Sequence, residues 1–339
     1  MRVLVTGGCG FIGSYVCEEL LNTGYEVISL DNFSKYGRIE RNYFTHPKFT
    51  LITGDCKERN TLLKASEECD FIIAGAALIG GISYFHKYAY DLLAENERIL
   101  ASTFDAAISQ FKSGRLKRIL VLSSSMVFES SKVFPTPEDQ VKFAPPPRST
   151  YGFQKLAAEY FAKGAQEQYS LPYTIIRPFN CVGIGEGRAL GEEKLSSGNI
   201  TLALSHVLPD LAQKIIRGQK PLRILGDGLQ VRCYTHGSDI ARGIRLALES
   251  SNAINEDFNI STRVQTTVLE LAELVWKHFY PHLPFEYELD PPFEYDVRYR
   301  LPDTSKAERL LSFVANIPLS TSVTEVCEWV AGAVLRGEI

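Results

Sequence analysis

The stretch Thr6-Gly7-Gly8-Cys9-Gly10-Phe11-Ile12-Gly13 lies between a short apolar run, residues 2–6, and an amphipathic segment, residues 12–22. Glycines spaced in this way permit a tight strand-to-helix turn, close approach of the backbone to a pyrophosphate and close packing of helix on strand. The amino end of the helix offers free N–H groups and a positive dipole end to phosphates. A glycine-rich turn without ligand is the alternative. The position between strand and helix favours a dinucleotide site that contains Gly7, Gly10, Phe11, Ile12 and Gly13.

On the carboxyl side of this stretch, short β-branched runs alternate with longer amphipathic segments. The predicted strands are residues 2–6, 26–30, 49–53, 71–74, 118–123 and 173–176, and the predicted helices are residues 12–22, 91–111 and 151–169. Such alternation is typical of βαβ units, so we expect an α/β fold with a Rossmann-type, doubly wound parallel sheet.

The alternation weakens after Pro178, and a stretch rich in glycine and charge, residues 183–198, predicts a loop. We therefore expect a dinucleotide-binding Rossmann domain over residues 1–180 and a smaller, substrate-binding C-terminal lobe mainly over residues 181–339. Some segments of the second half are expected to return to the Rossmann domain.

Composition excludes several classes of protein. The 339 residues are 45% hydrophobic and 22% charged, as in folded proteins, and the net charge of −4 provides no broad basic surface for nucleic acid. The seven cysteines are scattered, with no CxxC pair or clustered histidines, which predicts neither a zinc site nor a disulfide framework. No apolar run approaches the roughly 20 residues that span a bilayer. We expect a cytoplasmic protein with no metal, nucleic-acid or membrane partner.

An acidic residue ends the second predicted strand. Asp31 stands where a carboxylate can hydrogen-bond the adenosine ribose hydroxyls, and where it would repel the 2′-phosphate of NADP, which favours NAD as the cofactor. A simple turn at Asp31-Asn32 is the alternative. Asp55 and Cys56 follow the third strand and are candidates for adenine contact, although Asp55 could equally be a turn residue.

A phenol and an ammonium stand four residues apart in Tyr151-Gly152-Phe153-Gln154-Lys155, on one face of a predicted helix. A nearby ammonium and the nicotinamide cation would lower the pKa of the tyrosine from about 10, which makes Tyr151 a candidate general base. The same spacing is also common in surface pairs. Ser123-Ser124-Ser125 ends the fifth predicted strand, at the edge where ligands bind in open α/β sheets, although a polar strand end is the alternative.

Taken together, the glycine stretch, Asp31, the segment SSSMVF at 123–128, YGFQK at 151–155 and RPFN at 177–180 resemble the extended short-chain dehydrogenase/reductase family. The resemblance is to its branch of NAD-dependent nucleotide-sugar epimerases and dehydratases, and it covers nearly the whole chain. It implies that Ser124, Tyr151 and Lys155 are catalytic. It also implies that Ala76, Asn96 and Ser123 lie near the cofactor, and that the protein is a homodimer that pairs through residues 91–111 and 151–169.

The second half resembles the nucleotide-diphosphate site of the same branch. His206-Val207-Leu208-Pro209 and the segment 226–232 carry this likeness, in which Arg232 would bind a phosphate with its planar guanidinium. An exposed arginine in a surface ion pair is the alternative. A further phosphate-binding arginine is expected near Arg300, although Phe293 stands where many relatives have theirs. The substrate site implied by the resemblance comprises Ser124, Ser125, Tyr151, Phe179, Asn180, His206, Val207, Arg232 and Arg300.

Met126 decides which reaction the resemblance implies. Dehydratases and uronate decarboxylases of this branch carry Glu at that position, and 3,5-epimerases carry Cys, whereas a thioether transfers no proton. The chemistry that needs no second acid or base is 4-epimerisation through a transient 4-ketose.

Residues at other positions of the sequence bear on which sugar and which nucleotide the substrate contains. Uronate-specific relatives tend to have Thr at the position of Asn180 and Arg near Gly185, so a neutral or N-acetylated hexose on UDP is favoured here. Gly80-Gly81 resembles the GDP-sugar branch and leaves a GDP-linked substrate open. A dehydratase or reductase with its acid elsewhere, and a non-catalytic NAD-binding scaffold, also stay open.

Overall fold

The computed structural model describes residues 1–79, 88–186, 206–292 and 297–338. Three residues noted in the sequence, Gly80, Gly81 and Phe293, lie outside the described residues, as do residues 187–198 of the expected loop.

Strands and helices alternate through the first half of the chain and beyond. The strands are β1 (Arg2–Thr6), β2 (Glu26–Asp31), β3 (Phe49–Thr53), β4 (Phe71–Ala74), β5 (Arg118–Leu122), β6 (Tyr173–Pro178), β7 (Cys181–Val182), β8 (Leu222–Leu225), β9 (Val231–Arg232), β10 (Thr235–His236), β11 (Glu256–Ile260), β12 (Thr266–Thr267), β13 (Tyr287–Asp290) and β14 (Tyr299–Arg300). The helices are α1 (Phe11–Asn22), α2 (Arg59–Ser66), α3 (Ala89–Lys112), α4 (Thr150–Tyr169), α5 (Val207–Ile216), α6 (Gly237–Glu249), α7 (Val268–Phe279), α8 (Ser305–Leu311) and α9 (Leu319–Leu335).

Seven strands form one parallel sheet in the order β11-β6-β5-β4-β1-β2-β3. The chain starts in the middle, winds to one edge through β2 and β3, and then winds to the other edge through β4, β5 and β6. This reversal at β1 places the carboxyl ends of β1 and β4 beside a crevice, where open α/β sheets bind ligands. The predicted doubly wound α/β fold is confirmed.

Apolar residues alternate along the central strands and supply a core on each face of the sheet. Val3 and Val5 of β1 pack with α1 and α6 on one face, and Leu4 packs with α2, α3 and α4 on the other. Burial of both faces explains why these strands are almost continuously hydrophobic.

A third core belongs to the second half of the chain. It joins α5, α7 and α9 around residues such as Leu208, the fully buried Trp276 and Val326. Helix α7 begins with a capping box, in which Thr267 and Glu270 satisfy each other's backbone N–H groups. No helix within the described ranges is long and apolar enough to cross a bilayer.

The seventh strand, β11, comes from the second half and pairs with β6, with Phe258 opposite Ile176. A segment beyond residue 180 therefore returns to the Rossmann sheet, although the limits of the two domains stay a prediction. The sequence of β11, EDFNI at residues 256–260, is short and has only two apolar residues, so it gives no local sign of the strand with which it pairs.

Candidate active site

The glycine stretch forms the turn between β1 and α1. A Cβ atom on Gly13 would stand 2.1 Å from the carbonyl oxygen of Gly7, so only glycine lets the first turn of α1 pack on this loop. Gly10 is the N-cap of α1, no side chain caps the helix, and no acidic residue lies in its first turn. The N–H groups of Phe11 and Ile12 are thus suited to an anionic ligand, and the loop fits the pyrophosphate of a dinucleotide.

Asp31, the last residue of β2, is fixed beside this loop. Its Oδ2 atom accepts a hydrogen bond from the Cys9 N–H at 2.9 Å, and Oδ1 accepts from the Phe33 N–H at 2.8 Å. The carboxylate therefore lies beside the glycine stretch, where the ribose of a dinucleotide was expected. The bond from the Phe33 N–H shows that Asp31 also forms a turn, and its contact with a ribose stays a prediction.

Asn32 and Asp55 lie together at the neighbouring strand ends, with 3.4 Å between Asn32 Nδ2 and Asp55 Oδ2. Asp55 also accepts from the Lys57 N–H at 2.8 Å, which makes it a turn residue as well as a candidate for adenine contact. The side chain of Cys56 is buried in the apolar core, and burial raises the pKa of its thiol to about 12. Any cofactor contact of Cys56 must come from its backbone.

Thr6 and Asn96 hold the loop that follows β4. The Thr6 hydroxyl oxygen accepts from the N–H groups of Gly75 and Ala76 at 3.1 and 3.2 Å. Asn96, on α3, is buried and bonds both backbone groups of Leu78, at 2.7 and 2.9 Å. The side chain of Asn96 thus holds the loop on which Ala76 lies. Its predicted role near the cofactor would be exerted through this loop.

Helix α4 presents the tyrosine and the lysine, and its start is fixed by Ser149. The Ser149 hydroxyl caps the helix by accepting from the Gly152 N–H at 3.0 Å. A Cβ atom on Gly152 would stand 2.8 Å from the carbonyl oxygen of Met126, so glycine is needed for the helix to pack on the short 3-10 helix Ser125–Phe128. Tyr151 therefore lies in the first turn of α4, close to the end of β5.

The hydroxyl of Ser124 lies close to the phenol of Tyr151. Ser124 accepts from the Met126 N–H at 3.2 Å, which fixes its hydroxyl at the start of the 3-10 helix, and Ser125 is buried beside it. Burial raises the pKa of Tyr151, whereas the Ser124 hydroxyl and the charge of Arg300 lower it. These two groups favour the tyrosinate, which is the form that acts as a base.

Lys155 is held to the end of β5, and its effect on the pKa of Tyr151 stays a prediction. Its Nζ atom is buried and donates to the carbonyl oxygen of Leu122 at 2.8 Å, and burial lowers its pKa to about 8. A second cation near Tyr151 is Arg300, from β14, whose charge lowers the pKa of the tyrosine.

Among the described residues, Met126 stands at the position of a second acid or base in relatives, and Glu129 lies three residues further along the chain. Met126 is buried and carries no titratable group. Glu129 accepts from the N–H and hydroxyl of Ser149 at 3.0 and 2.8 Å, so it supports the start of α4.

Arginines of the second half meet on adjacent strands. Arg232 of β9 and Arg300 of β14 are directly paired in a parallel ladder, which brings together the two expected phosphate-binding residues. Arg232 is buried, and its Nη1 atom donates to the carbonyl oxygens of Val231 and Arg298 at 2.9 and 3.2 Å. These bonds fix the guanidinium and argue against an exposed surface ion pair.

Phe179 and Asn180 follow β6 and differ in role. The Phe179 ring is fully buried and stacks on Phe128 with their centroids 6.4 Å apart, so its side chain belongs to a small core and only its backbone can face a substrate. Asn180 has a φ of 39°, and its Nδ2 atom is buried with no partner among the described residues. An unpaired amide donor at this place suits a polar substrate group.

His206 is the N-cap of α5, directly before Val207. Its Nδ1 atom bonds the buried carboxylate of Glu186, and its ring lies 6.4 Å from that of Phe11. The two residues predicted from separate motifs, Phe11 and His206, thus lie side by side between the cofactor loop and the second lobe.

Two groups were not predicted from the sequence. The first is Arg41, whose Nε and Nη2 atoms are buried without a hydrogen-bond partner in the described parts of the chain. Its Nη1 atom lies 2.6 Å from where a Cβ atom of Gly185 would stand, so the guanidinium occupies the space that glycine leaves. The second is a buried ion pair of Glu159 with Arg177, in which Glu159 lies four residues beyond Lys155.

The sequence of residues 3–261 matches the family model described as the NAD dependent epimerase/dehydratase family. The chain belongs to this family. The match confirms the predicted NAD cofactor and the predicted class of enzyme, and it includes every residue predicted to be catalytic.

Individual relatives of this epimerase/dehydratase chain span its whole length. It is 28% identical to the UDP-glucose 4-epimerase of Bacillus subtilis (strain 168), with 97% of this chain and 96% of that protein covered. It is 26% identical to the UDP-N-acetyl-alpha-D-glucosaminuronate decarboxylase of Bacillus cytotoxicus, with 97% of each covered.

A similar solved structure is the UDP-glucose 4-epimerase of Thermotoga maritima with UDP-glucose. The TM-score is 0.80 at 27% sequence identity, with 98% of this chain and all of that chain, 100%, covered.

Proposed function

We propose that the protein is an NAD-dependent 4-epimerase of a nucleotide-linked hexose, with UDP-hexose or UDP-N-acetylhexosamine as its substrate. The observation that carries this proposal is Met126, a buried thioether in the turn that begins at Ser124. Dehydration or decarboxylation needs a proton donor or acceptor beside the ketose, and Glu129 is occupied by Ser149. A reaction that uses Tyr151 alone as acid and base fits these residues.

Tyr151 and Ser124 have different roles in the proposed reaction. Tyr151 takes the proton of the sugar C4 hydroxyl, and Ser124 holds the same oxygen through its own hydroxyl. NAD, which the glycine loop and Asp31 would hold, would supply the hydride acceptor and donor for C4. Tyr151 then gives its proton back to the C4 oxygen, so the enzyme ends in the state in which it started.

Support for a diphosphate-linked substrate comes from the paired arginines. Arg232 and Arg300 stand on adjacent strands, and a guanidinium fork suits phosphate oxygens. The relatives with UDP-sugars in their names make UDP the favoured nucleotide, and Asn180 supplies an unpaired donor for a neutral sugar. A GDP-linked sugar is the alternative, and a substrate panel that contains both nucleotides separates the two.

We also propose a homodimer that pairs through α3 and α4. These helices pack on each other and carry exposed aromatic side chains, with Tyr90 exposed to 76%, Tyr160 to 67% and Phe153 to 48%. Exposed aromatic residues on neighbouring helices are typical of interfaces. All seven cysteines are free thiols, which supports a reducing, cytoplasmic location.

The test is direct incubation of the purified protein with NAD and a panel of UDP- and GDP-sugars. Product analysis by NMR should show one sugar converted into its C4 epimer, with neither water nor carbon dioxide eliminated from it. Conversion of a GDP-sugar alone would indicate that the substrate is a GDP-linked sugar. A dehydrated or decarboxylated product would contradict it.

A further inference from the structure

A buried polar cluster lies directly behind the catalytic residues. Its centre is the ion pair of Glu159, on α4, with Arg177, on β6, and the side chains of both residues are 0% exposed. The pair is bidentate, with Arg177 Nε 2.7 Å from Glu159 Oε1 and Arg177 Nη2 2.7 Å from Glu159 Oε2.

Stability alone gives a weak reason for such a pair. Taking two charges out of water costs several kcal/mol for each ion, so hydrophobic residues of similar volume are often as stable or more so. What an ion pair adds is fixed geometry, because a bidentate fork defines both distance and orientation. The role of the pair therefore depends on which groups the Glu159 carboxylate holds in place.

The carboxylate reaches the catalytic strand through Ser123. The Ser123 hydroxyl donates to Glu159 Oε1 at 2.6 Å and lies 3.5 Å from the carbonyl oxygen of Lys155. The Ser123 N–H is also fixed, by the carbonyl oxygen of Ile176 at 2.8 Å. Ser123 and Ser124 are adjacent in the chain, so holding Ser123 by both its side chain and its N–H limits where the backbone can place Ser124.

Lys155 is bound to the same segment one helical turn before Glu159. Its Nζ atom donates to the carbonyl oxygen of Leu122, the last residue of β5. Residues 122 and 123 are therefore held to α4 by two side chains, Lys155 and Glu159, which share one helix face at a spacing of four.

Arg177 is itself held from the far side. Its Nη2 atom lies 2.7 Å from Asp257 Oδ2 on β11, Lys306 lies 2.7 Å from Asp257 Oδ1, and the guanidinium stands over the ring of Phe128 at 5.0 Å. Burial opposes the charge of Arg177, but Glu159 and Asp257 hold its pKa above the ordinary value. Arg177 thus keeps its charge at neutral pH, and the cluster ties α4 to β5, β6 and β11.

We propose that Glu159, held by Arg177, is a positioning residue that sets the placement of Ser124 against Tyr151 through the hydroxyl of Ser123. The proposal rests on the proposed 4-epimerase function only for the identity of the substrate. Glu159 touches neither the substrate nor the cofactor, and it acts through a neighbour of the catalytic serine.

Two variants that differ in severity test the proposed role of Glu159. Glu159→Gln removes the charge and leaves Arg177 with Asp257, and Ser123→Ala removes one hydrogen bond while the ion pair stays intact. With UDP-galactose or the panel substrate that is converted, kcat should fall by about tenfold or more in Glu159→Gln and less in Ser123→Ala, with KM changed less than kcat, because misplacement acts on the transition state. The double variant should be no worse than Glu159→Gln alone.

The pH dependence provides a readout that a purely structural role would not move. Tyr151 faces the Ser124 hydroxyl and the Arg300 charge, and both lower its pKa. Loss of the Ser124 contact should therefore move the acid limb of kcat/KM to higher pH in Glu159→Gln, as in Ser124→Ala. Titration of tyrosine absorbance in the NAD-loaded protein, with Tyr151→Phe subtracted, should show the same shift without any substrate.

The control is Asp239→Asn, which breaks the ion pair of the buried Asp239 carboxylate with the partly exposed Arg242 on α6. It should lower Tm as Glu159→Gln does and leave the pH limb unmoved. The proposal would be overturned if the acid limb of kcat/KM stayed at its wild-type pH in Glu159→Gln and Ser123→Ala. It would also be overturned if Asp239→Asn changed kcat and moved this limb as much as Glu159→Gln does. If the wild-type protein converts no sugar of the panel, the proposed function fails, and the absorbance titration still decides the role of Glu159.

Discussion

Lys155 Nζ lies 2.8 Å from the carbonyl oxygen of Leu122, and the Lys155 residue is buried. Because burial lowers the pKa of Lys155 to about 8, the folded protein binds this proton less tightly than the unfolded chain, whose lysines titrate near 10.5. Below pH 8 the folded state carries the full penalty of a buried charge. The penalty decreases as pH rises toward 10.5.

The stability of wild type should therefore rise with pH relative to Lys155→Met. Between pH 7 and 9.5 the difference in free energy of unfolding between the two proteins should change by about 2 kcal/mol in favour of wild type. Urea denaturation of both proteins, without added nucleotide, checks this. A difference that is constant over this range would show that Lys155 keeps an ordinary pKa.

Asp31 should determine the choice of cofactor. Its carboxylate lies beside the glycine loop, so a 2′-phosphate there would meet a negative charge. Calorimetry should show NAD binding at least tenfold tighter than NADP, about 1.4 kcal/mol, and Asp31→Ser should narrow the gap. Equal affinities in wild type would contradict the assignment.

Tyr151 should be needed for turnover and not for cofactor binding. Tyr151→Phe should reduce kcat by about two to four orders of magnitude, because it removes the group that serves as both acid and base in the proposed reaction. Ser124→Ala should cost less, since the base remains. NAD affinity measured in parallel should be nearly unchanged in both variants, and a large loss of affinity would assign these residues to binding instead.

The exposed face of α3 and α4 should hold two copies together. Light scattering of wild type at micromolar concentration should give twice the chain mass, and Tyr160→Glu should favour the monomer because it places a charge in an apolar contact. Leu335→Glu, which changes another exposed side chain on α9, is the control and should stay dimeric. A monomeric wild-type protein would contradict the proposed homodimer.

The fold was predictable because its signals are local. β1, β3 and β4 begin and end where the sequence predicts, since short runs rich in β-branched and other apolar residues and bounded by turns are easy to recognise. The strand β11 was not predicted at its place in the sheet. Its pairing with β6 joins residues about 80 positions apart, and no local pattern encodes such a contact.

The candidate site was predictable as a set of residues and less so as a set of contacts. Sequence motifs name Ser124, Tyr151 and Arg300, but only the fold places Arg300 close enough to lower the pKa of Tyr151. Glu159 was not predicted as a functional residue, because a charged residue on a helix is usually exposed. Its spacing of four from Lys155 was the available signal.

The fate of the hydrogen at C4 tests the proposed 4-epimerisation most directly. The purified enzyme with NAD should convert UDP-galactose that carries deuterium at C4, and NMR should find the label still at C4 of the UDP-glucose formed, with no NADH released. Retention is expected because the same hydrogen returns to the same carbon while Met126 offers no competing proton transfer. Loss of the label to solvent, or a dehydrated 4-keto product, would contradict 4-epimerisation.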